Sequence, residues 1–397
     1  MQKKIIRQYY TLSFLFNVAG MSVISATYVT YLLNNGLNLF QANMVNAIYF
    51  LTLFVFEIPT GAFADIFGRK TSFVTACGLL SASMFVYGCS HSFTGFLIAE
   101  TIAAIGCTFR TGAFNSWLVD SLKHHGYSGD CRRYFARENM ICQIGGAVGA
   151  IGGSYLAARS PSLPWFTGGF MLAITTVLAY AIMKEEYFVK SKFSWKSGFI
   201  SMRDITRSSI QYGKKDKVVR FILITTGIQI FAVQALNMFW QPFFKSHGVK
   251  ESGLGWIFAG VMLCVAIGSF IASMIKNGHN EKQMILWTQI ITGTLILVTV
   301  SMSGLPALLT LFLLHEIPRG CCAPLIEGYL QKQIPSHERA TISSFCKVSP
   351  HITGFIGLLI SGLIAQKFGI PVAWTVSGIF LITCALLVAR SSNKTGK

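Results

Sequence analysis

Twelve long apolar segments, six on either side of one basic linker, constrain the fold of this chain more than any other feature. A helix needs about 20 mainly apolar residues to cross a bilayer, and each segment is close to that length. Hydrophobic residues make up 52% of the sequence and charged residues only 12%, so we predict an all-α membrane protein with twelve transmembrane helices. The predicted spans 1 to 12 are 9–33, 41–64, 72–90, 94–119, 134–158, 165–183, 217–244, 252–275, 283–302, 305–330, 341–366 and 372–390.

The chain carries a formal net charge of +18, and the placement of the basic residues decides what this charge means. If both termini are cytoplasmic, the loops on that face hold 26 of the 33 lysines and arginines, and the opposite face holds Arg159, Lys245, Lys250 and Lys367. This asymmetry is the positive-inside pattern of multi-pass membrane proteins. It predicts insertion in the cell (inner) membrane with both termini cytoplasmic, and it removes the argument for a nucleic-acid partner.

The two halves of the chain carry traces of an internal repeat. Shifting the sequence by 209 residues aligns Arg110 with Arg319, Gly153 with Gly362, Trp165 with Trp374 and Gly169 with Gly378. Spans 4 to 6 then lie over spans 10 to 12, which indicates a duplication. We therefore predict an N-terminal six-helix bundle at 1–183, a cytoplasmic linker at 184–216 and a C-terminal six-helix bundle at 217–397.

A ten-residue motif between spans 2 and 3 identifies a family. Residues 61–70 read Gly-Ala-Phe-Ala-Asp-Ile-Phe-Gly-Arg-Lys. They resemble the G-x-x-x-D-R-x-G-R-K signature of the major facilitator superfamily, and only Ile66 departs from it, where the signature has its first basic residue. The resemblance extends to the whole chain, because the family also has twelve spans and duplicated halves. It implies two pseudo-symmetric six-helix bundles that alternate access to a central site.

The resemblance also implies that the signature loop latches the cytoplasmic side while the cavity faces outward. Its glycines allow close helix approach and a tight turn, and Asp65 can meet the N-terminal dipole of span 3. The expected gating residues are Gly61, Asp65, Gly68, Arg69, Lys70 and, at the inner end of span 4, Asp120. Orientation and insertion of the helix pair is the alternative role of this loop.

Arg110 and Arg319 lie about midway through spans 4 and 10, where an arginine is costly unless it faces a wet cavity or a partner. The resemblance implies that spans 1, 4, 7 and 10 line the central cavity, so both arginines would face one site. Arginine pairs bidentately with carboxylate or phosphate, which favours an anionic or zwitterionic solute. The other expected substrate contacts are Lys347, His351, Asn17, Tyr31, Gln234, Asn237 and Trp240.

A competing interpretation assigns the arginines to proton coupling or to structural ion pairs. Glu316 precedes Arg319 by three residues, which suits a helix-internal pair, whereas Glu100 precedes Arg110 by ten and fits poorly. Both interpretations stay open at the level of the sequence.

The expected proton carriers lie where span 10 should be irregular. Pro318 should bend or break that helix, and irregular backbone at membrane depth is tolerated where it lines a cavity. Glu316 and His315 are therefore the leading proton-coupling candidates, and Glu57 in span 2 is another.

The motifs favour a transporter over an enzyme. The sequence contains no Walker-type phosphate loop, no nucleophile elbow and no His/Cys cluster with metal spacing, so we expect no enzymatic activity, cofactor or metal. We expect a monomeric secondary transporter, driven by protons, for a small solute such as a carboxylate nutrient or a siderophore. Proton-driven efflux of amphipathic drugs is the alternative. An ion channel would instead give currents above carrier turnover, and a receptor or scaffold would bind without counterflow.

Overall fold

The computed structural model describes residues 1–20, 22–188, 216–275, 280–333, 346 and 349–394. All regular structure within these residues is helical, in agreement with the predicted all-α class. The helices are Gln2–Ala19, Ser22–Ser25, Tyr28–Asn34, Leu39–Phe67, Arg69–Cys89, Phe93–Arg110, Ala113–His124, Arg132–Arg159, Leu163–Ile182, Lys217–Ser246, Glu251–Met274, Glu281–Ser301, Leu305–Leu314, Glu316–Gln333, Pro350–Phe368 and Ile370–Lys394.

These helices supply the twelve predicted spans. Eleven segments of the described chain are long and apolar enough to cross a bilayer, and the pair Gln2–Ser25 and Tyr28–Asn34, bent by 47°, provides span 1. Large side chains such as Phe170, Val177 and Phe270 are 62%, 70% and 64% exposed, as expected for a surface that lipid covers. The prediction of a multi-pass, twelve-span protein is confirmed.

Spans 4 and 10 are each interrupted near their intramembrane arginine. Span 4 runs as Phe93–Arg110 and Ala113–His124, and Gly112 between the two helices has a positive φ of 77°. Span 10 is divided at His315, close to the expected interruption at Pro318, whereas Pro324 lies inside the second helix. Both repeated spans therefore have an irregular backbone near their arginine, after Arg110 in span 4 and before Arg319 in span 10.

The described residues form two compact units. The first contains described residues of Met1–Leu37, Ile48–Asp204 and Val249–Ala259, and the second those of Asn38–Ala47, Ile205–Gly248 and Gly260–Lys397. Most of the predicted N-terminal bundle is in the first unit and most of the C-terminal bundle is in the second. The beginnings of spans 2 and 8 are grouped with the opposite half, so the boundaries at 183 and 217 stay a prediction.

Each unit is built around one of the repeated tryptophans. Trp165 is 1% exposed and stacks on Tyr87 in the first unit, with ring centroids 4.1 Å apart. Trp374 is fully buried in the second unit, where it stacks on Phe312 and donates to the carbonyl of Ala235 at 3.1 Å. The alignment of Trp165 with Trp374 thus corresponds to equivalent core positions.

A stripe of glycines in span 5 packs against span 1 within the first unit. A Cβ atom at Gly149 would lie 2.8 Å from the carbonyl oxygen of Val18, and one at Gly153 would lie 1.7 Å from that of Val23. Only glycine allows such an approach between two helix backbones. A Cβ at Gly152, by contrast, would meet no atom of the described residues within 4 Å.

Candidate functional site

The signature loop brings three of the expected gating side chains together. Span 2 ends at Phe67, and Gly68, with a φ of 96°, turns the chain directly into span 3. The Arg69 guanidinium lies 2.9 Å from the carboxylate of Asp65 and 3.7 Å from that of Asp120, which comes from the end of span 4. In the predicted topology this loop belongs to the face with most of the lysines and arginines, which we call the basic face.

Glu185 completes this cluster, and the motif did not reveal it. Its carboxylate accepts hydrogen bonds from the backbone N–H groups of Arg69 at 2.6 Å and Lys70 at 3.1 Å. It therefore occupies the N-terminus of span 3, where Asp65 was expected. Asp65 instead lies in the last turn of span 2 and contacts the side chain of Arg69. The only local signal was a pair of acidic residues directly after span 6.

The cluster surrounds an open cavity of about 400 Å³. Burial raises the pKa of Glu185, and the two backbone N–H donors and the Arg69 cation act in the opposite direction. Burial also raises the pKa of Tyr187 to about 12. The lining residues are Asp65, Arg69, Asp120, Lys123, His124, Glu185, Tyr187 and Phe188.

The other signature positions are less constrained. The Lys70 ammonium lies 4.9 Å from the ring centroid of Tyr180 in span 6. Gly61 is inside the helix of span 2, and a Cβ there would meet nothing within 4 Å. Gly68 makes the expected tight turn, and among the described residues neither signature glycine is in close contact with the backbone of another helix.

Arg110 is neutralised from a neighbouring span. Its guanidinium lies 3.9 Å from the carboxylate of Glu138 in span 5 and covers the ring of Phe16, 4.5 Å from the centroid. Glu138 also accepts a hydrogen bond from the Ser13 hydroxyl at 3.1 Å. Glu100, the acidic residue on Arg110's own helix, instead accepts a hydrogen bond from a tyrosine hydroxyl in span 3. Sequence spacing cannot reveal Glu138, because it comes from another span.

Arg319 pairs with its own helix, as the spacing indicated. It donates to the carboxylate of Glu316 at 2.9 Å, and the His315 Nε2 atom lies 3.4 Å from the same carboxylate oxygen. The side chains of His315 and Glu316 are only 1% and 4% exposed, whereas that of Arg319 is 27% exposed. The second carboxylate oxygen of Glu316 is buried with no hydrogen-bond partner among the described residues.

Arg319 opens onto a cavity of about 390 Å³ within the second unit. Its polar walls include Gln229, which accepts from the thiol of Cys322 at 2.8 Å, and Glu327. The hydroxyl of Thr226 is buried there with no hydrogen-bond partner in the described chain. The remaining lining residues are Ile222, Ile230, Val233, Ala323, Ile326, Leu330, Cys346 and Pro350.

The expected substrate contacts of the first unit lie in different surroundings. Asn17 donates to the carbonyl of Ser13 at 2.8 Å and to the Cys142 sulfur at 2.9 Å, so it belongs to the network around Arg110. Tyr31 is buried elsewhere in the unit, where its hydroxyl donates to the carbonyl of Tyr87 at 2.9 Å. The proton-coupling candidate Glu57 is inside span 2 and partly buried.

The expected substrate contacts of the second unit are also dispersed. Gln234 and Trp240 are buried, whereas Asn237 is exposed. His351 lies in the first turn of span 11. Lys347 lies outside the described residues.

Sequence comparison decides the family. The sequence profile of the Major Facilitator Superfamily matches residues 10–244 and 222–396. The chain belongs to the major facilitator superfamily. It is therefore a multi-pass secondary transporter whose substrate is a small molecule, and the resemblance based on residues 61–70 is confirmed.

Two relatives match over most of their length. The uncharacterized MFS-type transporter YxaM of Bacillus subtilis (strain 168) is 23% identical over 389 residues, which cover 96% of this chain and 94% of the relative. The uncharacterized MFS-type transporter MJ1560 of Methanocaldococcus jannaschii is 21% identical over 381 residues, or 93% of each chain.

Solved structures show the same fold. The nucleoside transporter NupG has a TM-score of 0.76 at 13% identity, covering 98% of both chains. The human organic anion transporter MFSD10 (TETRAN) has a TM-score of 0.68 at 13% identity, covering 98% of this chain and 99% of the other. The twelve helices therefore adopt the fold of the superfamily, with its two pseudo-symmetric six-helix bundles.

Proposed function

We propose that this transporter moves an anionic or zwitterionic organic solute by alternating access, in symport with protons. The observation that carries the proposal is the half-buried guanidinium of Arg319 at the edge of a cavity of about 390 Å³. That volume lies in the usual range of small-molecule sites, about 300–1,000 Å³. A carboxylate-bearing nutrient or a siderophore has the matching chemistry, with an acidic group for Arg319 and an apolar part for the cavity walls.

Glu316 supplies the link to protons in this proposal. Its carboxylate holds Arg319 at 2.9 Å, and a negatively charged solute would compete for the same guanidinium. Protonation of Glu316 removes the competing charge, so Arg319 becomes available to the solute. His315, within 3.4 Å of the same oxygen, is the neighbouring group able to exchange that proton. A proton and an anion then bind together, which is the requirement for symport.

We also assign Arg110 to substrate binding. It also has one acidic partner, Glu138, at 3.9 Å, and it keeps 33% of its side chain exposed. Asn17 borders this arginine through Cys142 and offers a neutral contact. Glu57 is a further candidate for the proton path.

The remaining assignments follow from the family and from the charge distribution. We propose that the cluster of Asp65, Arg69 and Asp120 gates the basic face, and that this face is cytoplasmic in the cell membrane. We propose that the transporter functions as a monomer.

Efflux of amphipathic compounds in exchange for protons is the second candidate function. The specific observation in its favour is the composition of the cavity at Arg319, whose walls are mainly aliphatic and also contain the carboxylate of Glu327. A lipophilic cation would place its charge at Glu327 and leave the Arg319–Glu316 pair intact.

The first test is a thermal-shift screen of the purified protein with organic anions and lipophilic cations. A ligand at about 100 times its Kd stabilises the folded protein by about 2.7 kcal/mol. We expect an anion to stabilise the wild type and the control Arg159→Gln, whose exposed arginine lies at the end of span 5. The same anion should lose its effect on Arg110→Gln and Arg319→Gln. Stabilisation by cations that persists in both variants would replace the anion proposal with efflux.

A further inference from the structure

The chain leaves span 6 through a short segment that is fastened to spans 3 and 4. Span 6 ends at Ile182, and the structure describes the following residues as far as 188. The carbonyl of Lys184 accepts from the indole N–H of Trp117 in span 4 at 3.0 Å. The next residue, Glu185, accepts from the first two backbone N–H groups of span 3. The predicted central linker therefore begins under restraint from two other spans.

Glu185 meets donors that have no partner within their own helix. The first N–H groups of an α-helix lack intrahelical acceptors, and a carboxylate placed there is favoured by both hydrogen bonding and the helix dipole. Both oxygens of Glu185 are used, one for Arg69 at 2.6 Å and one for Lys70 at 3.1 Å. The structure describes no other side chain bonded to these two N–H groups. Glu185 thus serves as the cap of span 3.

The same contact accounts for the second glycine of the signature. A Cβ atom at Gly68 would lie 2.4 Å from a carboxylate oxygen of Glu185, so that carboxylate would have to shift to admit any side chain there. The φ of 96° at Gly68 also disfavours every other residue. Glycine at position 68 therefore allows the turn and also leaves room for the carboxylate of Glu185.

Glu186 offers a natural comparison within the same segment. Its carboxylate lies 3.7 Å from the Lys184 ammonium, and the two side chains are 59% and 75% exposed. Such a surface pair contributes little to stability, with a median of about 0–1 kcal/mol. Adjacent glutamates thus carry the same charge, but only Glu185 contacts the signature loop.

We propose that Glu185 is a positioning residue of the gate, which ties the signature loop to the start of the central linker so that both move as one element. The proposal rests on the assignment of Asp65, Arg69 and Asp120 to the gate. The Arg69 side chain joins span 3 to Asp65 and Asp120, while its main chain joins span 3 to Glu185. A displacement of the start of the linker would therefore be transmitted to Asp65 and Asp120 through Arg69.

The experiment compares Glu185→Ala, Glu185→Gln and the control Glu186→Gln in the full-length protein. Hydrogen–deuterium exchange is measured in nanodiscs on peptides that cover 66–74 and 182–188. Hydrogen bonds to a charged group are strong enough that their loss should speed exchange in both peptides about tenfold in Glu185→Ala. Glu185→Gln keeps one acceptor oxygen, so its exchange rate should lie between those of the wild type and Glu185→Ala. Glu186→Gln should exchange at the wild-type rate. Unchanged exchange in Glu185→Ala would overturn the proposal.

Transport kinetics then separate gating from folding. Because Glu185 does not line the cavity at Arg319, the KM for the solute should stay within about twofold while the maximal rate falls several-fold. Faster exchange with an unaltered maximal rate would reduce Glu185 to a structural cap and refute the gating role. The exchange result needs no substrate, so it can stand or fail independently of the thermal-shift screen that tests the proposed function.

Discussion

At the scale of single residues, the two intramembrane arginines differ in what neutralises them. Arg319 is held by Glu316, one turn away on its own helix, whereas Arg110 is held by Glu138 from a different span. An arginine at this depth is tolerated only with such partners or with water. The Arg319–Glu316 pair lies within one helix and moves with it. The Arg110–Glu138 pair links two helices, so the two pairs need not respond to protonation in the same way.

The coupling role of Glu316 makes a specific prediction. Glu316→Gln mimics the protonated state, so Arg319 should stay available to the anion at every pH. We expect counterflow of solute across proteoliposomes to persist, while uptake driven by a proton gradient falls at least tenfold. The control is Glu281→Gln. Glu281 lies at the start of span 9 and forms an ion pair with Lys332, so this variant should keep gradient-driven uptake. Uphill uptake by Glu316→Gln would exclude this residue as the proton carrier.

At the scale of elements, backbone contact decides which glycines matter. Span 5 approaches span 1 so closely that a Cβ at Gly153 would overlap the carbonyl oxygen of Val23, at 1.7 Å. A Cβ at its neighbour Gly152 would have no contact within 4 Å in the described part of the chain. Gly149 and Gly153 both contact span 1 of the same unit.

This contrast gives a matched pair of substitutions. Gly153→Ala should destabilise the protein by about 1–3 kcal/mol, because one helix must move away from the other. Gly152→Ala should be neutral or should stabilise the protein by up to about 1 kcal/mol, because alanine favours the helix more than glycine does. The measurement is the fraction of monodisperse protein that survives heating, followed by size-exclusion chromatography. Equal loss in both variants would contradict the close contact between spans 1 and 5.

At the scale of the whole molecule, twelve spans and an excess of basic residues on one face define a topology. An even number of spans places both termini on the same side, and the positive-inside pattern predicts that this side is the cytoplasm. The signature loop lies on this face too. The gate and the central linker are therefore expected to be exposed to cytoplasmic factors and not to external ones.

Reporter fusions in a bacterial host test this topology. Green fluorescent protein fused after Lys397 should fluoresce, because it folds in the cytoplasm. Alkaline phosphatase inserted between Lys245 and Lys250, in the loop between spans 7 and 8, should be active because it reaches the oxidising exterior. Exchanging the two reporters is the control and should silence both. Active phosphatase at the C-terminus would reverse the assigned orientation.

The sequence was sufficient to predict the number, order and approximate bounds of the spans. It was also sufficient to predict the family and the pairing of Arg319 with Glu316. Each of these depends on residues that are close together in the chain. Apolar length, helical spacing and a ten-residue loop are local properties. The partner of Arg110, the cap of span 3 and the difference between Gly152 and Gly153 could not be predicted in this way. They depend on which helix faces lie against each other. A single polar residue in an apolar helix does not show which residue of another helix it will contact. Glu138 and Glu185 therefore acquired their roles only in the folded chain, where tertiary packing brings each acidic side chain to a positive group or a free helix N-terminus.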